Sequence, residues 1–290
     1  MIAWPHDLVE DIASRRSVLF LGAGVSKSAK NKVGEHPKDW KEYLNALALE
    51  ITDVQQRTEV QSCISESDLL TACELARRFL KPDAFKRKLL AEFSDKGFEP
   101  AEIHDDIIKI DSRFVLTTNF DKLYENRANH IQQNTVLVKN YYDSDIADVF
   151  RRSQRVVLKV HGTIDSADRT IFTRSGYARA RTEYSHFYRL LDALFITHTF
   201  VFLGASLRDP DIQMLLEDHA YRFEGSRPHF IVMPADAARK TVVSIMEESM
   251  NLRAVLYDPA NNHAELADSI KALEPLVAAE RTRLTQTMNW

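Results

Sequence analysis

Apolar residues along this chain gather into short unbroken runs of strand length, separated by stretches in which they recur every three to four positions. The runs are Val18–Leu21, Phe114–Leu116, Val156–Val160, Phe200–Leu203, Phe230–Met233 and Ala254–Tyr257. A continuous run, unlike an alternating one, predicts a strand covered on both faces. Strands that alternate with helical segments then predict an α/β fold, a parallel and doubly wound sheet.

Roughly ninety residues between the first two runs lack a convincing strand. They carry helix-period segments around Trp40–Ile51, Asp68–Phe79 and Pro82–Phe93, which predicts a helical insertion over approximately 35–110. After the last run, Leu266, Ile270, Leu273 and Val277 share one apolar face. A C-terminal helix over approximately 262–288 is expected, packed on the sheet or used in oligomerisation. At 290 residues, 1–290 reads as one domain with an insertion.

Composition narrows the class. Hydrophobic residues at 44% and charged residues at 28%, with a net charge of −4 from interleaved signs, fit a soluble globular protein and give no footprint for a phosphate backbone. The basic clusters Arg77-Arg78, Lys86-Arg87-Lys88 and Arg151-Arg152 are short enough to be solvated helix faces. Direct nucleic-acid binding is therefore not expected. The two cysteines, Cys63 and Cys73, supply neither a disulfide framework nor a zinc ribbon and read as small buried hydrophobes. The first residues have no apolar signal core, and no apolar run nears the roughly 18 residues that span a bilayer. The expected location is cytoplasmic, with no membrane association.

Four strands end in chemistry. Ser17–Leu21 runs into Gly22-Ala23-Gly24-Val25-Ser26, where backbone can turn sharply and approach a pyrophosphate; such glycines also serve a turn alone. Phe114–Leu116 exits through Thr117-Thr118-Asn119-Phe120-Asp121. Ligands of open α/β sheets bind outside such strand ends, and the local alternative is that Asn119 or Asp121 caps a helix beginning at Lys122. Val156–Val160 ends in His161-Gly162, an imidazole with open surroundings that could also be structural. Phe200–Leu203 leads into Gly204-Ala205-Ser206-Leu207-Arg208-Asp209-Pro210. There Asp209 and Pro210 read as an N-cap with proline at the first helical position, whereas Gly204 and Ser206 read as ligand contacts.

Taken in order, Gly22-Ala-Gly24-Val-Ser26, Thr118-Asn119-Phe120-Asp121, His161-Gly162 and Gly204-Ala205-Ser206-Leu207 resemble the four motifs of the sirtuin superfamily. The wording Leu-Thr-Thr-Asn-Phe-Asp and Leu-Arg-Asp-Pro-Asp-Ile looks more like the bacterial sirtuin-like NADase branch of anti-phage defence than the protein deacylases. The resemblance takes in Phe172 to Tyr177 and most of residues 18 to 215, and says little about 30 to 110 or the last seventy residues.

It implies a Rossmann-like sheet and NAD+ as substrate. Gly22, Ala23, Gly24 and Ser26 would then line the pyrophosphate and adjoining ribose, with Thr118 beside them, while Gly204 and Ser206 hold the adenosine side. Asn119 would contact the nicotinamide ribose and place water, Asp121 would sit near the carboxamide, and His161 would be the catalytic base. Deacylases of the superfamily carry a four-cysteine zinc module between the His-Gly and Gly-x-Ser motifs; here no cysteine follows Cys73. No metal is expected, and protein deacylation becomes an alternative to NAD+ glycohydrolysis. Two others are an NAD+ or ADP-ribose sensor without chemistry and a scaffold with relic motifs. The resemblance further implies a homo-oligomer gated by a protein partner such as a HerA-type ATPase.

Overall fold

The computed structural model describes residues 1–94 and 96–287. Seven strands form one sheet: β1 (Ser17–Leu21), β2 (Phe114–Thr117), β3 (Leu137–Asn140), β4 (Val156–Lys159), β5 (Thr199–Leu203), β6 (His229–Pro234) and β7 (Leu252–Tyr257). Every pairing is parallel and the order is β3-β4-β2-β1-β5-β6-β7. The chain leaves β1 toward β2 on one side and later returns to β5 on the other, so the strand order reverses at β1. Ligand crevices of open α/β sheets lie at such a switch point.

Thirteen helices accompany the sheet among the described residues: α1 (His6–Ala13), α2 (Ala23–Ser26), α3 (Trp40–Ala48), α4 (Val54–Ser65), α5 (Leu69–Phe79), α6 (Pro82–Phe93), α7 (Glu102–Lys109), α8 (Leu123–Ile131), α9 (Arg174–Glu183), α10 (Ser185–Thr197), α11 (Pro210–Arg222), α12 (Lys240–Met250) and α13 (Ala260–Thr287). The alternation of side chains along β1 explains the two layers. Leu19 and Leu21 join one apolar cluster with residues of α1, α7 and α13. Val18 and Phe20 join the other, with residues of α10 and α11. A third cluster belongs to α3–α6 and reaches the rest of the protein through Phe120, Ile164 and Phe172. None of these helices is long and apolar enough to cross a membrane.

All six expected strands are present, with ends shifted by one or two residues. The seventh, β3, has no apolar run: it is an edge strand, half-buried throughout, whose Lys139 reaches outward to Asp145. Helix α3 stops at Ala48, short of Ile51, and α8 starts at Leu123 with Lys122 in the cap position. Cys73 is buried and accepts from the Trp40 indole, whereas Cys63 is only half-buried. Helix α13 opens through three left-handed residues, Asn261, Asn262 and His263, and buries Ile270, Leu273 and Val277. The expected end of that helix at residue 288 lies outside the described residues.

Burial of uncharged imidazoles makes the fold acid-sensitive. His229 Nδ1 accepts from the Phe200 amide, while its Nε2 is enclosed without a partner. Burial, then the neighbouring His219, pushes His229 down to about 3; burial, then Arg113 and Arg16, pushes His198 down to about 4. Below an unfolded value near 6.5 the unfolded chain binds more protons than the native one. This contribution to stability is complete above that value and is lost as pH falls toward 3. Melting temperature should therefore drop between pH 7.5 and 5, and His229→Gln, which retains an acceptor but cannot protonate, should flatten the slope; an equal slope in the variant would refute the assignment.

Candidate active site

Outside the carboxyl ends of β1, β2, β4 and β5 lies a cleft of about 460 Å³. Gly22, Ala23, Gly24, Ser26, Thr118, Asn119, Asp121, His161, Gly204 and Ser206 all line it. Four segments far apart in sequence are thus brought to one place by the strand order around β1.

The glycines are needed for a backbone-to-backbone approach. The Gly22 amide donates to the Leu203 carbonyl and the Gly24 amide to the Gly204 carbonyl, each at 2.9 Å. A Cβ on Gly22 would lie 2.5 Å from the Gly204 oxygen, and one on Gly204, at φ +60°, would lie 2.6 Å from the Val25 nitrogen. Neither neighbour is a flexible side chain, so the two loops cannot yield without parting. Gly204→Ala is expected to lower stability by about 2 kcal/mol or more. Thermal melting checks this, and an unchanged transition would mean that the loops separate freely.

A chain of hydrogen bonds ties β1 to β2 beyond the sheet. Thr117 Oγ1 donates to the Leu21 carbonyl at 2.8 Å and accepts from the Asn119 amide at 3.1 Å. Asn119 Nδ2 then donates to the Gly22 carbonyl (3.0 Å) and to Ser26 Oγ (2.9 Å). Ser26 Oγ in turn donates to Asp121 Oδ2 at 2.8 Å, and Asp121 Oδ1 accepts from the Leu123 amide. Of the two alternatives for these residues, the helix cap is realised in part, and both residues line the cleft. Asp121 does meet the first amide of α8, but its buried carboxylate also holds the Gly-x-Gly turn, and Asn119 makes no cap.

Beneath this loop a wholly buried cation supports it. Lys159, the last residue of β4, is 0% exposed and donates to the Asp121 carbonyl and to Glu125 Oε1, the latter at 2.7 Å. Burial pushes the Glu125 carboxyl up, and the Lys159 charge opposes that rise.

His161 follows two residues later. Its ring meets Tyr177 edge to face, with centroids 5.2 Å apart at 84°, and its carbonyl accepts from the Ile171 amide. Its Nε2 lies 2.7 Å from Asp209 Oδ2. Asp209 was expected to be structural, and it does cap α11, accepting from the Asp211 and Ile212 amides at 3.0 Å. The same carboxylate also lines the cleft and meets His161, and the loop that precedes it has φ of +60° at Gly204 and +52° at Leu207.

The helical segment supplies the opposite wall, which sequence reasoning left unassigned. Lys27 bridges Asp39 and Glu42, the two members of the capping box that starts α3, and so fastens that helix to the glycine turn. From α3, Trp40 and Tyr43 reach the cleft and pack on Phe172, at 6.1 and 5.7 Å between centroids, with Phe120 at 5.8 Å. Aromatic residues at helical spacing look like core in a sequence, and these are core on one side and cleft wall on the other.

Residues 113–255 match the family described as SIR2-like domain. Over 230 residues the chain is 29% identical to an NAD(+) hydrolase ThsA of Enterococcus faecium, covering 77% of this chain and 44% of that one. It is 24% identical over 230 residues to an NAD(+) hydrolase ThsA of Acinetobacter baumannii, covering 78% and 44%. Against Defense-associated sirtuin 2 of Bacillus subtilis it is 25% identical over 214 residues, covering 72% of this chain and 20% of the other. The chain thus spans less than half the length of these relatives. Four strand-end segments converge at the switch point of a parallel sheet, and the region that is similar to the SIR2-like domain, residues 113–255, carries three of them.

Proposed function

We propose that this protein is an NAD+ glycohydrolase that splits the bond between nicotinamide and ribose, releasing nicotinamide and ADP-ribose. The observation that carries the reading is the meeting of the Asn119 amide and the His161 imidazole in one cleft with the glycine turns of β1 and β5. The cleft volume falls within the range of small-molecule sites, and the relatives named as NAD(+) hydrolases support the same substrate.

Nicotinamide begins as a cationic pyridinium and departs neutral, so its leaving needs little acid assistance. The enzyme's task is to stabilise an oxocarbenium-like ribose and to place a water. In this reading the Gly22–Ser26 turn holds the pyrophosphate and adjoining ribose, with Thr118 alongside, and Gly204 and Ser206 hold the adenosine side. Asn119, whose Nδ2 is engaged by Gly22 and Ser26, offers Oδ1 to the water or the ribose hydroxyls. His161 takes a proton, and Asp121 lies near the carboxamide and orders Ser26. Unchecked cleavage would drain the cytoplasmic NAD+ pool, so the proposal includes a defence role in which a homo-oligomer is released by a protein partner, taken here as a HerA-type ATPase.

The test is to incubate the protein with NAD+, with and without the protein encoded beside it and ATP, and to quantify nicotinamide and ADP-ribose. Equal amounts of the two without any acylated peptide are expected. Release that requires an acyl-lysine peptide would replace the proposal with deacylation, and tight NAD+ binding without release under every condition would replace it with sensing.

A further inference from the structure

The Asp209 carboxylate is loaded beyond what a helix cap requires. Oδ1 alone serves the two amides of α11, so capping leaves Oδ2 without a task. Oδ2 instead accepts from the Tyr177 hydroxyl at 2.8 Å and lies 2.7 Å from His161 Nε2. The His161 side chain is 7% exposed and that of Asp209 is 13% exposed, so water screens the pair poorly. Burial by itself would raise the Asp209 carboxyl, but the facing imidazole, the Ile212 amide and the Tyr177 hydroxyl hold it below its ordinary value. The positive end of α11 acts in the same direction. Asp209 is therefore an anion at neutral pH.

An unprotonated Nε2 would place its partial negative charge 2.7 Å from the Asp209 anion, so the ring proton belongs on Nε2. The contact lies off the ring N–H axis, as hydrogen bonds of catalytic groups often do before substrate binds. Tyr177 fixes both partners, with its hydroxyl on the carboxylate and its ring against the imidazole. Nδ1 is left as the proton acceptor of the ring.

We propose that Asp209 is a positioning residue for His161, holding the imidazole protonated at Nε2 with Nδ1 free to accept, and balancing the imidazolium once it forms. This rests on the reading of the site as one that cleaves NAD+. In that reaction the water oxygen bonds to ribose C1′, and the C1′–N bond breaks with its electron pair leaving on nicotinamide. The proton released from water goes to Nδ1, and Asp209 stays ionised throughout. An orienting carboxylate that fixes a tautomer and never itself takes the proton is the arrangement of hydrolytic triads.

The discriminating variant is Asp209→Asn, because asparagine caps helices as well as aspartate does and preserves an acceptor for the two amides. Its Nδ2 can present a donor to Nε2 and so favours the wrong tautomer. The expected result is a melting temperature and NAD+ affinity like those of the wild type, with kcat lowered about 10²-fold or more. Wild-type kcat in Asp209→Asn would overturn the proposal, and so would a loss of kcat explained by a matching loss of stability or affinity. A second measurement stands apart from activity: nitrogen NMR of histidine-labelled protein, with the His161 signals identified by their absence in His161→Gln. Wild-type His161 should be protonated at Nε2 and lose that preference in Asp209→Asn, while Nδ1 protonation in the wild type would overturn the proposal. If no condition gives NAD+ cleavage but the tautomer is as stated, the glycohydrolase reading fails and the role of Asp209 in orienting His161 stands.

Discussion

His161→Gln is expected to lower nicotinamide release by about 10²–10⁴-fold, the usual contribution of a positioned base, with NAD+ affinity nearly unchanged. The imidazole meets Tyr177 and Asp209, and the glycine turns are held by hydrogen bonds in which it takes no part. Removing it should therefore act on kcat. Asn119→Ala should be comparably inactive but different in kind. Its Nδ2 holds both the Gly22 carbonyl and Ser26 Oγ, so the substitution loosens the turn assigned to the pyrophosphate as well as removing the amide assigned to water. It should raise KM while lowering kcat. Single-turnover product release together with calorimetric titration separates the two variants. If both bind NAD+ and both turn over at the wild-type rate, neither residue takes part in the chemistry.

Lys159→Met should be the most destabilising single substitution at the site. A buried ion pair adds little net stability when intact, because both charges were desolvated, but removing one member strands the other. Here the stranded group is Glu125, 3% exposed, and the Asp121 carbonyl loses a donor at the same time. The expected cost is about 3–5 kcal/mol, which for a chain of this length lowers the melting temperature on the order of 10 °C. Adding Glu125→Leu removes the stranded carboxyl and should recover most of that loss. The double variant should still turn over more slowly than the wild type, since Lys159 also braces the loop that carries Asn119 and Asp121. A single variant that melts with the wild type would show that Glu125 finds another partner or protonates at no cost.

The sheet was legible in the sequence because a strand buried on both faces is apolar along its length, and β1, β2, β4 and β5 each hold three or four consecutive apolar residues, with Ser17, Thr117, Lys159 and Thr199 only at their ends. β3 was not legible, since an edge strand half-exposed along its length can carry Lys139 and Asn140. The strand-end residues could be found for the same local reason. A glycine, an amide or an imidazole placed directly after an apolar run cannot belong to the run's packing, so it stands out. Trp40 and Tyr43 gave no such signal, because the aromatic pattern of a core helix and that of a cleft wall are the same pattern.

What the sequence alone determined is whatever depends on neighbours in the chain: which segments are strands, that glycines follow β1 and β5, that Asp209 with Pro210 begins a helix. What only the tertiary structure decided is whatever depends on strand order. Placing β1 between β2 and β5 brings Gly22 against Gly204 and Asn119 against Ser26; placing β4 beside β2 sets Lys159 under Asp121. The second task of the Asp209 carboxylate arises in the same way, since one oxygen is claimed by its own helix and the other by a histidine 48 positions earlier in the chain. Local propensity acts over a few residues, whereas these pairings come from burying both faces of one parallel sheet, and that requirement is satisfied only by the whole chain.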